Sequence, residues 1–262
     1  MAFTASAGSR TIAFELLTCR LSMPNFSDSL FSSAPMRTLL ARELAATAPI
    51  LAGVYGNHGL LLRAHASAPA TLPAHLLGNM VELVVEQQRL RGNVDCEPGL
   101  LPFANDSFKL LIVQHVFEQL DEPEACAAEL ARVLAPEGVA LVLGFNPAGT
   151  WRPWLALKAG RARLRMRSAH FWQQQLARQQ VDTLQVRFPG TLLPHGSAAA
   201  DNANGAPPTS GLLARFGSSW LLLARKRRSV LTPLRLRSGA RVAMNPRLAP
   251  GAQRALAERA CA

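Results

Sequence analysis

Cysteine is scarce in this 262-residue chain, and Cys19, Cys96, Cys126 and Cys261 form no C-x-x-C pair and have no histidine at ligand spacing. That argues against a disulfide framework and a structural zinc, and it suits a reducing cytoplasm. Long apolar runs are missing too. The best, KLLIVQHVF and GVALVLGF, fall far short of the roughly 18 residues of a membrane span, so a soluble protein is expected. The first 22 residues lack a basic head leading into an unbroken apolar stretch, because Arg10, Glu15 and Arg20 are spread through them, and no secretory signal is expected. Met23 offers a second start, and residues 1–35 are read as a poorly ordered N-terminal extension. No Ser-His-Asp order, P-loop or paired carboxylates appear, so hydrolase and kinase chemistry has no support. His58, His65, His75, His170 and His195 show no metal-ligand spacing, and no metal is expected.

Acids are nearly absent from the second half. Residues 1–137 hold 9 Lys and Arg against 14 Asp and Glu, whereas residues 138–262 hold 19 against 3, so the net charge of +11 belongs to the second half alone. Such a field attracts an anionic partner such as RNA, while a composition rich in Ala, Leu and Arg accounts for it equally. Trp151, Trp154 and Trp172 beside Arg161, Arg163, Arg165 and Arg167 raise base stacking with phosphate contacts, but alternate Arg residues cannot share one helix face, which favours a solvated surface.

What is present reads as one domain, residues 36–224, followed by a basic tail, residues 225–262. With 49% hydrophobic residues the chain can bury one good-sized core. Met36, Leu39, Leu40, Leu44 and Ala48 mark one face of a helix, and PILAGVYG follows as a strand-like run ending in glycine. Residues 71–93 fit a strand through Val85 or a helix. KLLIVQ and GVALVLGF are continuously apolar, the pattern of strands buried on two faces. Between them Asp121 and Pro123 open a helix with Cys126, Leu130, Val133 and Leu134 inward and Gly138 beyond its end. Two such strands joined by a helix make a βαβ crossover and a parallel sheet. TLQVRFPG and SSWLLLARKR read as two further strands, separated by a Gly/Ala/Pro/Asn insert at 196–211 expected to be mobile.

The segment LPFANDSFKLLIVQHVFEQL...EPEACAAELARVLAPEGVALVLGFNP resembles the second half of class I S-adenosylmethionine (SAM)-dependent methyltransferases, in particular the methyltransferase type 11 group. The resemblance implies an α/β, Rossmann-like seven-stranded sheet, mostly parallel, with an antiparallel last strand supplied by SSWLLLARKR. It implies SAM as cofactor and methyl transfer to an unidentified acceptor, a small molecule. GVYGNHG is placed at the first glycine loop, with Gly53, Val54, Tyr55 and Gly56 against the cofactor. Glu97, with Pro98, is placed at the adenine amino group, and Gln114 beside the methionine, with His115 as the candidate catalytic base. Glu86 is the candidate ribose acid if NMVELVV is a strand. The family's loop reads acid-x-Gly-x-Gly-x-Gly, whereas here Leu51 stands at the acid position, the spacing is Gly-x-x-Gly-x-x-Gly, and Lys109 replaces the Asp of the SFD motif. These departures keep a second reading open: a methyltransferase-like binding or scaffolding protein that has lost turnover.

Overall fold

A computed structural model describes residues 30–68, 72, 75–159, 164–194 and 215–227 of the chain. Most of the N-terminal extension, the 196–211 insert and the basic tail beyond Arg227 lie outside the described residues.

Helix α1 (Ala34–Leu51) buries Met36, Leu39, Leu40 and Leu44, as the spacing predicts, with Ala48 half-buried. The same stripe also buries Glu43 and Thr47. The helix runs on through Pro49 to Leu51, so the expected strand PILAGVYG is divided. Its first part is the last helical turn, and strand β1 (Tyr55–Arg63) begins only at Tyr55. Leu51 and Val54 pack with Leu61, Leu110 and Ile112, so this apolar run anchors the helix end beneath the sheet. Leu30 and Phe31 are fully buried in one cluster with Met36, Leu39 and Leu40 of α1.

The ambiguous stretch is strand β2 (Leu76–Glu86), paired parallel to β1 from Tyr55↔Leu76 to Arg63↔Val84. Strand β3 (Arg89–Gly92) turns back antiparallel through Gln87 and Gln88, both left-handed at φ 49° and 66°. Two left-handed residues are what a two-residue hairpin matching the strand twist requires. Gln88 holds the turn in place: its amide donates to the Gln119 carbonyl (2.7 Å) and accepts from Asp121 N (2.8 Å). Strand β4 (Phe108–Gln114), helix α2 (Pro123–Val133) and strand β5 (Leu134–Phe145) form the expected crossover, β4 lying parallel to both β1 and β5. Helices α3 (Arg152–Ala159) and α4 (Ala169–Arg178) precede strands β6 (Val181–Arg187) and β7 (Ser219–Lys226). The seven strands lie in the order β3-β2-β1-β4-β5-β7-β6, with β7 antiparallel to both its neighbours.

Side chains alternate between two cores. One face packs Leu60, Leu62, Leu111, Val113 and Val142 under α2 and α4; the other packs Leu61, Leu110, Ile112, Leu141 and Leu221. A third cluster forms over the carboxyl ends of the strands. There the amino half of α1 (Met36, Leu39, Leu40) meets Ala64 and Ala68 after β1, Phe145 at the end of β5, and Trp151 and Leu155. Ligands of open α/β sheets sit at that edge, so this cap defines where a site can be.

Candidate functional site

Four parallel strands end at the capped edge, in Arg63 (β1), Glu86 (β2), Gln114 (β4) and Phe145 (β5). The β4 end is polar and buried. Immediately after it His115 adopts φ 52°, a left-handed conformation that costs a non-glycine residue roughly 1–2 kcal/mol and persists only where its surroundings hold it. Those surroundings are two carboxylates and a ring. The imidazole Nε2 lies 2.9 and 3.1 Å from the Glu43 oxygens, Nδ1 lies 3.7 Å from Glu118 Oε1, and the ring stacks on Phe145 with centroids 3.9 Å apart. Glu118 Oε1 is engaged by Phe145 N at 2.7 Å. Burial by itself would lower the His115 pKa, but the charge of Glu43, its hydrogen bond to the ring and the nearby carboxylate of Glu118 outweigh it and raise it to about 10. At neutral pH the ring is an imidazolium with no lone pair to accept a proton, which speaks against the base expected at His115.

Several polar atoms at this edge are buried without a hydrogen-bond partner: Gln114 Oε1, His115 Nδ1, Glu118 Oε2 and Arg63 Nε. The other atoms of these side chains tie the edge together. Gln114 Nε2 donates to Leu40 O of α1 (3.4 Å), and Gln119 Nε2 donates to Ala64 O (2.8 Å). Arg63 folds the loop after β1 onto itself, donating to Ala66 O (3.3 Å) and Ala68 O (2.8 Å), and pairs with Glu82 at 3.1 Å.

The glycine stretch lies elsewhere. Gly53 and Val54 form the turn before β1, and Tyr55 and Gly56 open the strand at its amino end. At about 3.3 Å per residue that is roughly 25 Å from Arg63. The segment at the carboxyl end of β1 therefore begins at Ala64 and is not GVYGNHG. The glycines answer a packing demand instead: a Cβ on Gly56 would sit 2.7 Å from Lys109 Cβ, and one on Gly59 would collide with Met80 Sδ. The position expected to hold the loop acid is accordingly Arg63 rather than Leu51.

The remaining candidates do gather at the carboxyl edge. Glu86, the residue expected to be the ribose acid, ends β2, and its carboxylate meets Arg91 at 3.2 Å. Glu86 pairs with Arg89 across the hairpin, and Arg89 reaches Glu97 at 3.8 Å, so Glu86 and Glu97 flank one arginine. Glu97 and Pro98 stand in a turn closed by Leu100 N on Glu97 O, and the Glu97 side chain is 71% exposed. Gln114 faces α1, as given above.

Sequence reasoning missed Glu43, Glu118 and Arg63. A carboxylate inside the apolar stripe of a helix was the available signal for Glu43; nothing in QHVFEQL marked Glu118 as buried. Trp151 and Trp172 are 1% and 2% exposed, Trp172 stacking on Phe117 at 4.2 Å, so neither offers a platform for bases. Arg165 bonds Asp121, and Arg167 lies over the Phe171 ring at 4.9 Å. Arg161 and Arg163 are outside the described residues. Cys126 is buried and its thiol is pushed up to about 12 by that burial, which removes it as a nucleophile. Among the described residues no group of three or more His, Cys, Asp or Glu is placed to hold a metal, and no helix is long and apolar enough to cross a membrane.

Comparison with known proteins agrees with this architecture. Residues 63–142, from the end of β1 into β5, match the family described as methyltransferase domain. No curated protein matches the sequence. Among solved structures, the chain is similar to one in the complex of the Haloferax volcanii Trm112 methyltransferase activator with a protein described as a methyltransferase. The identity is 13% and the TM-score 0.51, over 78% of this chain and 99% of that one. A SAM-dependent methyltransferase from Mesorhizobium loti aligns at 12% identity and TM-score 0.43, over 75% of this chain and 100% of its own. Another from Thermotoga maritima aligns at 13% and 0.49, over 73% and 91%. At such identities the likeness concerns the fold, which is the α/β class I methyltransferase fold with a mostly parallel seven-stranded sheet.

Proposed function

We propose that this chain, matched to the methyltransferase domain family over residues 63–142, is a SAM-dependent methyltransferase acting on a small-molecule acceptor. The observation that carries the reading is the strand order β3-β2-β1-β4-β5-β7-β6 with ionisable and amide side chains collected at the carboxyl ends of β2 and β4. The residues present fit the cofactor in this reading: Glu86 at the end of β2 would accept from the ribose hydroxyls, and Glu97 would accept from the adenine amino group. Gln114 Oε1 and Glu118 Oε2 are buried acceptors with no partner of their own.

When bound, SAM supplies an electrophilic methyl group on a sulfonium. The chain's part is to align an acceptor with that methyl and to exclude water. The apolar cap of α1, Trp151 and Leu155 over the strand ends supports the second task, and an enclosed edge suits a small acceptor better than a polymer. Buried free thiols at Cys96 and Cys126 support a reducing cytoplasm as its location. For the basic second half we keep an anionic partner as the proposal, checked by a steep fall of RNA affinity with salt.

Arg63 favours a second reading, a methyltransferase-like binding protein without turnover, because it puts a cation at the end of β1 where the family has an acid. Calorimetry with SAM and S-adenosylhomocysteine decides between the two. Micromolar binding to the wild type, weakened about tenfold in Glu97→Ala with an unchanged melting temperature, supports the enzyme. No heat at millimolar ligand sinks it.

A further inference from the structure

The cofactor's amino-acid end carries an ammonium, and the usual counter-charge at the end of β1 is missing. Arg63 is a cation that spends its guanidinium on Ala66 O, Ala68 O and Glu82, and it cannot receive a second cation. Arg63 and Gln114 are paired residues of adjacent strands, so a group left without a partner at the end of β1 lies beside Gln114. There the acceptors change character. Gln114 is fully buried, its amide nitrogen is taken by Leu40 O, and its oxygen has no donor. Glu118 is 4% exposed, its Oε1 is taken by Phe145 N, and its Oε2 has no donor. Glu43, Glu118 and His115 together bring two carboxyl groups and one imidazole into a buried place, their side chains 0%, 4% and 0% exposed. An excess buried anion with an unmet oxygen is a costly arrangement, relieved by a cation that can donate hydrogen bonds.

We infer that Glu118, with Gln114, is the relocated counter-charge for the ammonium of the bound cofactor, replacing the acid that Arg63 displaces at the end of β1. The inference rests on the SAM-dependent reading above. Helix α1 bonds Gln114 through Leu40 and His115 through Glu43, whereas Glu118 lies on the other side of the His115 ring, at Nδ1.

The experiment is calorimetric titration of the full chain with S-adenosylhomocysteine, which has the ammonium, and with 5′-methylthioadenosine, which lacks the whole amino-acid end. Glu118→Gln keeps an oxygen for Phe145 N and removes the charge. It is expected to weaken S-adenosylhomocysteine roughly 10- to 100-fold and to leave 5′-methylthioadenosine within about twofold. Gln114→Met gives a smaller loss with the same selectivity. In the wild type, S-adenosylhomocysteine without its amino group is expected to bind at least about tenfold more weakly than the intact ligand, a result that needs no variant to fold. Equal weakening of both ligands by Glu118→Gln, or no weakening of either, overturns the assignment while leaving the cofactor reading intact. Wild-type protein that binds neither ligand removes the cofactor reading, and this subsite with it.

Discussion

Replacing Glu43 by alanine tests whether the polar cluster under α1 is a charged device. Glu43 and His115 are both fully buried and bonded at 2.9 Å, so the variant leaves an imidazolium facing only Glu118 at 3.7 Å. Removing one partner of a buried pair costs about 3–5 kcal/mol. The raised His115 pKa, about 10 against 6.5, corresponds at 1.36 kcal/mol per unit to on the order of 5 kcal/mol shared between Glu43 and Glu118. The sign follows from linkage. A folded-state pKa above the unfolded value stabilises fully below pH 6.5, and that stability is lost as pH rises through about 10. Wild type and Glu43→Ala should therefore differ by roughly 10–20 °C in melting temperature at pH 6.5, given 2–4 °C per kcal/mol for a domain of this size. The gap should narrow steadily toward pH 10. Melts followed by circular dichroism at pH 6.5, 8 and 9.5 measure it, and ionisations common to both proteins cancel in the difference. A gap that does not change with pH, or one below about 1 kcal/mol, refutes the charged cluster.

Gly59→Ala should destabilise the chain by about 1–3 kcal/mol in a urea titration, because the added methyl drives into Met80. Gly53→Ala should be nearly silent, since its Cβ would meet only Ile50 O at 3.6 Å. Neither change should alter S-adenosylhomocysteine affinity in the folded fraction, and selective loss of binding in Gly53→Ala would restore GVYGNHG as a cofactor loop. Arg63→Met should free the loop after β1, costing about 1–3 kcal/mol and accelerating limited proteolysis between residues 64 and 75; an unchanged cleavage rate would show that the loop holds without the guanidinium. Gln87→Asn should raise stability by up to about 1 kcal/mol, because asparagine tolerates the left-handed turn at φ 49° better, and a lower melting point would contradict that account of the hairpin.

The sequence by itself determined whatever depends on local pattern. The β4-α2-β5 crossover was legible because two continuously apolar strands and a punctuated helix are short-range signals, and the antiparallel SSWLLLARKR strand followed from the family resemblance. The stripe Met36, Leu39, Leu40 and Leu44 announced α1 for the same reason. Glu97 and Gln114 came from the family resemblance, and both lie toward the carboxyl edge. Tertiary structure alone decided the rest. Whether NMVELVV is helix or strand depended on β1 lying alongside to pair with it, a partner about twenty residues away that no local period encodes. The glycine stretch misled because glycine permits a ligand loop and a tightly crossed strand equally, and only the neighbouring Met80 and Lys109 side chains tell the two apart. The cluster at the strand ends joins Glu43 to His115 and Glu118 across some seventy residues. Its meaning, charges held apart from water with two acceptors unmet, arises only when the fold brings them to one place, because burial turns an ordinary carboxylate into a group that must find a partner.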